Sequence, residues 1–230
     1  LAQEVGVFVV GRCAHSQIDN IRIIHYNNTL SGSNCTYCGQ CANVCPVGEK
    51  KKKNDVDIVL KAISDKSKHV VVQVAPSIRV TIGEMFNMEP GSITTGKLVT
   101  SLKMLGFDEV FDTNFGADLT IVEESSELIN RIINKKTLPM ITSCCPGWIN
   151  YIEQYYPELL AHLSSCKSPQ QMFGAVVKNY YSSNLNVSKE NLFVVSLMPC
   201  TAKKYEAKRK EMNNDVDAVI TTVEFANLLK

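Results

Sequence analysis

The chain has 230 residues, 45% hydrophobic and 20% charged, enough to bury one large core beside a small one. Its net charge of +1 provides no field to gather nucleic acid or a membrane surface, and no apolar run reaches the ~18 residues of a membrane span. Nine cysteines, an odd number, argue against a closed disulfide framework. Their spacing suits metal thiolates, which need a reducing compartment, cytoplasm or an anaerobic organelle, and not secretion.

Residues 1–48 show little helical periodicity and read as a small ferredoxin-like iron–sulfur domain. They contain Cys35-x2-Cys38-x2-Cys41-x3-Cys45-Pro46, the spacing of bacterial ferredoxins. A tight turn lets three successive thiolates clamp one face of a cubane, and the fourth reaches elsewhere. Paired knuckles would be expected of a zinc site instead. Gly11-Arg12-Cys13 resembles the end of a first such run, yet its expected cysteines fall at Val7, Val10 and Gln17. At most one [4Fe–4S] cluster is therefore predicted, on Cys35, Cys38 and Cys41, with Cys45, Cys13 or a non-cysteine group as fourth ligand. Gly48–Asn54, with its Lys50–Lys53 run, reads as a solvated linker.

From 54 to 230 helices and strands alternate. Asp55–Asp65 has helical spacing, and His69–Ala75 is a β-branched apolar run of the kind buried in parallel sheets. A helix over Gly96–Leu105 and a strand over Glu109–Asp112 follow. Ala117–Lys135 is expected as an amphipathic helix with Leu119, Val122, Leu128 and Ile132 on its apolar side. Leu138–Thr142 is the next expected strand. Ser168-Pro169-Gln170-Gln171 reads as a helix start with Ser at the N-cap and Gln at the capping-box position. Strands at Leu192–Met198 and Val216–Ile220 and a helix over Thr222–Lys230 complete the pattern. The fold class predicted is α/β, a mainly parallel sheet with flanking helices.

Three of these strands run directly into unusual segments: Ala75-Pro76-Ser77, Cys144-Cys145-Pro146 and Pro199-Cys200. In open α/β sheets ligands collect beyond the carboxyl ends of strands, so a site is expected at that one edge. Taken singly, Cys145 or Cys200 could equally be a small buried hydrophobe. Cys166 has no ligand spacing and reads as structural, and the four histidines form no i, i+4 pair.

Thr142-Ser143-Cys144-Cys145-Pro146-Gly147-Trp148 resembles the first active-site signature of the [FeFe]-hydrogenases, and Met198–Glu206 resembles the second. Val74–Arg79, Phe111–Phe115 and Ser164–Gln171 fit the same family. The resemblance implies reversible reduction of protons to H2 at an H-cluster, a [4Fe–4S] cubane joined to a diiron unit with CO, cyanide and dithiolate ligands. It implies Cys145 and Cys200 as two cubane ligands, Cys144 as the proton-passing thiol and Lys203 as donor to a cyanide. Ala75, Pro76, Ser77, Met198 and Gln170 become pocket neighbours. A proton route is implied from Cys144 through Glu124, Ser164 and Glu127, with Arg131 near its end. Implied partners are ferredoxin or a similar electron carrier and hydrogenase maturation proteins, and implied locations are the cytoplasm or a hydrogenosome-like organelle.

Plainer readings exist for several of these residues. Glu127 and Arg131 have the spacing of an exposed i, i+4 ion pair, and Lys203, Lys204, Lys208 and Arg209 could form a solvated helix face. The family's third signature, which supplies two further cubane thiolates, is absent between Leu1 and Lys230, so the chain is expected to be a fragment and inactive alone. Hydrogenase-like cluster assembly factors share the fold but usually lack the first Cys of the pair and the Thr-Ala before the lysine, both present here. A sensory hydrogenase is a further alternative, suggested by the degenerate ferredoxin segment.

Overall fold

The computed structural model describes residues 8–10, 35–43 and 50–230. In chain order the first elements are β1 (Phe8–Val10), α1 (Gln40–Asn43), β2 (Lys50–Lys52), α2 (Val56–Ser64), β3 (His69–Val74) and α3 (Ile78–Thr81). Next come α4 (Thr95–Leu105), β4 (Glu109–Asp112), α5 (Asn114–Ile133), α6 (Pro146–Tyr155) and α7 (Pro169–Val176). The last are α8 (Ser182–Leu185), β5 (Leu192–Met198), α9 (Ala202–Glu206), β6 (Ala218–Thr221) and α10 (Thr222–Leu229). β1 and β2 pair antiparallel, so part of the lysine run expected as linker is strand. Cys13 and Cys45 lie outside the described residues.

The larger sheet is parallel throughout, in the order β4-β3-β5-β6. Its strands are Val- and Ile-rich because helices cover both faces; Val71, Val72, Val194, Val195 and Ile220 are fully buried. From β3 the chain crosses outward to β4, then returns to place β5 on the other side of β3. The order of winding thus reverses between β3 and β5, which is where such sheets open a crevice for ligands. Register brings their ends level, Val74 beside Leu197, and the Ala75 amide donates to the Leu197 carbonyl at 3.0 Å. Ala75-Pro76 and Pro199-Cys200 therefore leave the sheet side by side.

Two central side chains, Gln73 and Ser196, are polar and wholly buried. Gln73 donates to Ser196 Oγ (2.8 Å) and the Gln170 carbonyl (3.0 Å) and accepts from Thr113 Oγ1 (3.1 Å). A fully bonded amide in an apolar layer ties β3, β5, α7 and the start of α5 into one geometry.

Four expectations need correction. Leu138–Thr142 is not a strand of the sheet: it makes a single parallel bridge, Ile141 to Leu163, since Pro139 has no donor for a ladder. Helix α5 starts at Asn114 and stops at Ile133, and Lys135 beyond it is left-handed at φ 49°. Its buried residues are Gly116, Thr120 and Arg131, whereas Val122 is 60% exposed and Ile132 56%. The small-residue side faces inward because α7 lies close: a Cβ on Gly116 would sit 2.3 Å from the Pro169 carbonyl oxygen. At α7, Ser168 is the N-cap, but its hydroxyl donates to Glu206 Oε2 (2.9 Å) and makes no cap bond, and Gln171 is buried without side-chain partners. The capping box instead stands at α10, between Thr221 and Glu224.

Candidate functional site

Helix α6 begins at Cys145, its N-cap residue, and Pro146 occupies the first turn, where a missing N–H costs nothing. Helix α9 begins just after Cys200, with Thr201 at its N-cap. The two signatures meet through Lys203, whose Nζ donates to the Cys144 carbonyl at 2.7 Å. Cys144 and Cys145 are exposed thiols and Cys200 is half-buried. Ala75 and Met198 are buried beside them in the strand ends, while Pro76 and Ser77 are exposed.

A carboxylate outside the expected set organises this end of the sheet. Glu206 is 3% exposed and accepts from Lys203 Nζ (3.1 Å), Ser168 Oγ (2.9 Å) and Gln170 Nε2 (3.0 Å). The cue in the sequence was its place as the last residue of the second signature, one helical turn after Lys203. Gln170 also donates to the Lys203 carbonyl at 3.2 Å, and its Oε1 is buried with no partner. Lys203 is thus pinned from below by an opposite charge while its ammonium reaches the edge of the site. The solvated-face reading also fails for Lys204 and Arg209, though Lys208 is exposed. Lys204 is 2% exposed and pairs with Glu224 (2.9 Å) and Asp55 (3.8 Å), and Arg209 bonds Glu153.

The second polar group is built on α5. Glu127 Oε1 accepts from Arg131 Nε (3.0 Å) and Nη2 (2.6 Å). Its Oε2 accepts from Ser164 Oγ (3.0 Å) and from Ser165 N (3.0 Å) and Oγ (3.1 Å). Burial pushes the carboxyl up, but the bonds from Arg131, Ser165 and Ser164 outweigh it and hold Glu127 below its ordinary value. The pair is more than an exposed i, i+4 contact, since Arg131 is 9% exposed and its Nη atoms also bond the Ala161 and Leu163 carbonyls. Glu124, one turn away, has Oε1 buried without a partner. Cys166 is also drawn in: its thiol lies 3.8 Å from Glu127 Oε2, and burial pushes its pKa up. Glu127 and Arg131 line a cavity of ≈ 360 Å³, and a second of ≈ 190 Å³ lies among Ser143, Cys166, Ser168 and Glu206.

The accessory segment rests on the same helices. Asn150 and Gln154 of α6 donate to the Thr36 and Cys35 carbonyls, both at 3.3 Å. Burial pushes the Tyr37 phenol up to about 12, helped by nearby Tyr205 and Cys35, so it is neutral at physiological pH. Cys38 is exposed, and Cys35 and Cys41 are half-buried. Among the described residues no three Cys, His, Asp or Glu side chains gather into one metal-holding group. The donor chemistry nevertheless fits iron–sulfur groups, because thiolates are the ligands iron–sulfide cages take. The unpartnered Gln170 oxygen, in the same hydrogen-bonded group as a lysine aimed at the edge, fits a polar guest.

Comparisons with known proteins place the chain in a family. The family described as "Iron only hydrogenase large subunit, C-terminal domain" matches residues 68–230, and a "4Fe-4S binding domain" matches 31–48. The chain is 52% identical over 189 residues to Iron hydrogenase 1 of Clostridium pasteurianum, covering 80% of this chain and 33% of that protein. It is 31% identical over 218 residues to cytosolic iron-sulfur assembly component 3 of Pongo abelii, covering 90% and 46%. The solved structure of apo [FeFe]-hydrogenase HydA1 from Chlamydomonas reinhardtii superposes with a TM-score of 0.73 at 46% identity, over 76% of this chain and 47% of that one. The chain thus spans between a third and a half of the length of these relatives. With both signatures packed at the sheet's switch point and the family match covering the whole sheet, the chain belongs to the iron-only hydrogenase large subunit family, whose cofactors are [4Fe–4S] clusters and the H-cluster.

Proposed function

We propose that this chain is the first part of the catalytic domain, with its iron–sulfur inlet, of an [FeFe]-hydrogenase that reversibly reduces protons to H2. The observation that carries this reading is the Lys203–Cys144 contact, which joins the two signatures where the winding of the sheet reverses. The H-cluster, when bound, supplies the iron chemistry that exchanges two electrons with H2. Cys145 and Cys200 would hold part of it; the chain spans 33% and 47% of two such relatives, whose remaining length would have to supply the other ligands. Lys203, braced by Glu206, offers an ammonium to a pocket anion. Ala75, Pro76, Ser77, Met198 and Gln170 wall the pocket and limit water. The Cys144 thiol passes a proton inward or outward, and Glu124, Ser164 and Glu127 carry it on, with Arg131 near the end of the route. The Ser164–Glu127 bond and the cavity beside Glu127 support the outer half of that relay.

Cys35, Cys38, Cys41 and Cys45 would serve the accessory [4Fe–4S] cluster, which takes electrons from ferredoxin or a similar carrier. Maturation proteins would install the diiron unit, in the cytoplasm or an anaerobic organelle. Among the described residues no helix is long and apolar enough to cross a membrane. Cluster assembly is the second reading, favoured by the 31% identity to the assembly component. Sensing of H2 is its variant within the hydrogenases. The test is a methyl-viologen-linked H2 assay on the full-length, matured protein. Rapid turnover, lost in Cys144→Ser, is expected; no turnover after verified diiron loading would favour assembly or sensing.

A further inference from the structure

Tyr37, in the loop between Cys35 and Cys38, has φ 57°, a left-handed conformation that a bulky side chain avoids unless its surroundings hold it there. What holds it is Tyr205 of α9: the rings stack with centroids 4.3 Å apart and planes 11° apart. With Cys35 and Ala42 they form an apolar cluster separate from the core of the sheet. The Arg209 guanidinium, fixed by Glu153 of α6 at 3.0 Å, lies 5.9 Å from the Tyr205 ring centre. Two residues beyond Tyr37, Gly39 at φ 83° backs onto Thr201, where a Cβ would come within 2.3 Å of the hydroxyl oxygen. That hydroxyl, one residue past Cys200, donates to the Cys38 carbonyl at 3.5 Å. Strain accepted in the loop and a glycine-only approach to Thr201 together point to a seat whose spacing matters.

We propose that Tyr37 and Tyr205 are positioning residues: their stack fixes the gap between the Cys35–Cys41 loop and the Cys200 end of the catalytic site, and with it the rate of electron passage. One electron leaves the reduced accessory [4Fe–4S] cluster, which is oxidised, and reduces the catalytic cluster; the rings stay neutral and carry no charge. Tunnelling falls exponentially with distance, so a loosened seat slows transfer without changing either ligand set. The electron-transfer half of this proposal rests on the hydrogenase reading above, whereas the docking half does not.

The experiment uses the full-length holoenzyme with Tyr37→Leu, Tyr37→Phe and Tyr205→Leu. Amide hydrogen exchange over residues 36–42 reads docking, and freeze-quenched EPR after flash photoreduction reads electron arrival at the catalytic cluster. Both leucine variants should exchange about fivefold faster, the factor a lost aromatic pair gives a docked–undocked equilibrium. They should also measurably slow arrival, because the loosened seat widens the gap, while the phenylalanine variant matches the wild type in both. Leucine variants with wild-type exchange, or with faster exchange and unchanged arrival, overturn the proposal. If Tyr37→Leu fails to load iron, Tyr205→Leu, outside the cysteine loop, decides between these outcomes. A wild-type protein with no catalytic-cluster signal refutes the hydrogenase reading, and exchange then decides docking on its own.

Discussion

Glu206 and Glu127 are built alike and placed differently. Each is a carboxylate with a cation about one helical turn away and serine hydroxyls donating to it. Glu206, its side chain 4% exposed, is held by Ser168, Gln170 and Lys203 beside the smaller cavity, whereas Glu127, 18% exposed, lines the larger one with Arg131 and Lys136. The more deeply buried of the two is a fixed anchor that aims Lys203. The second keeps part of its carboxylate open to the larger cavity, as the proposed relay requires. Degree of burial is thus what separates two otherwise similar local motifs.

The sharpest way to break that contrast is Glu206→Ala. Removing one partner of a buried pair should cost about 3–5 kcal/mol in denaturant unfolding, and a loss under about 1 kcal/mol would make the two carboxylates equivalent. Lys204→Met comes next, at about 3 kcal/mol, because it strands the Glu224 and Asp55 carboxylates. Lys203→Met, whose ammonium sits at the edge of the site, should cost clearly less. Glu127→Gln sharpens the comparison through pH. The carboxyl of Glu127 is held below its ordinary 4.5 in the fold, so its contribution is present above that value and is lost as pH falls through the lower folded value. Wild type should therefore lose stability on that acid limb more steeply than Glu127→Gln, read by thermal melts across pH; parallel limbs would contradict it. The smallest effect is expected at Ile133→Gln on the outer face of α5, 72% exposed, within about 0.5 kcal/mol.

Much of this architecture was legible beforehand. β3 and β5 lie where the apolar runs predicted, because a strand buried on both faces reads as a near-continuous hydrophobic run. Leu138–Thr142 misled for the same reason: a short apolar run looks alike whether it pairs in a sheet or lies in a loop. Helix α5 misled through its periodicity, since Leu119, Val122, Leu128 and Ile132 have helical spacing yet the buried positions are Gly116, Thr120 and Arg131. Close backbone approach to α7 selects small residues there, which a hydrophobicity pattern cannot register. The second signature pointed to Lys203 but said nothing of Glu206 as its brace, because three residues along a helix show adjacency and not burial.

Thiol spacing, strand composition and the two signatures are written into local sequence, since each depends on neighbours only a few residues away. Contacts made across long stretches of chain were settled by folding: Lys203 on Cys144, Glu127 on Ser164, Tyr37 on Tyr205. Each joins elements that meet only because the sheet reverses its winding between β3 and β5 and packs α5, α6, α7 and α9 around that edge. Such distances come from packing as a whole, and no window of sequence contains them.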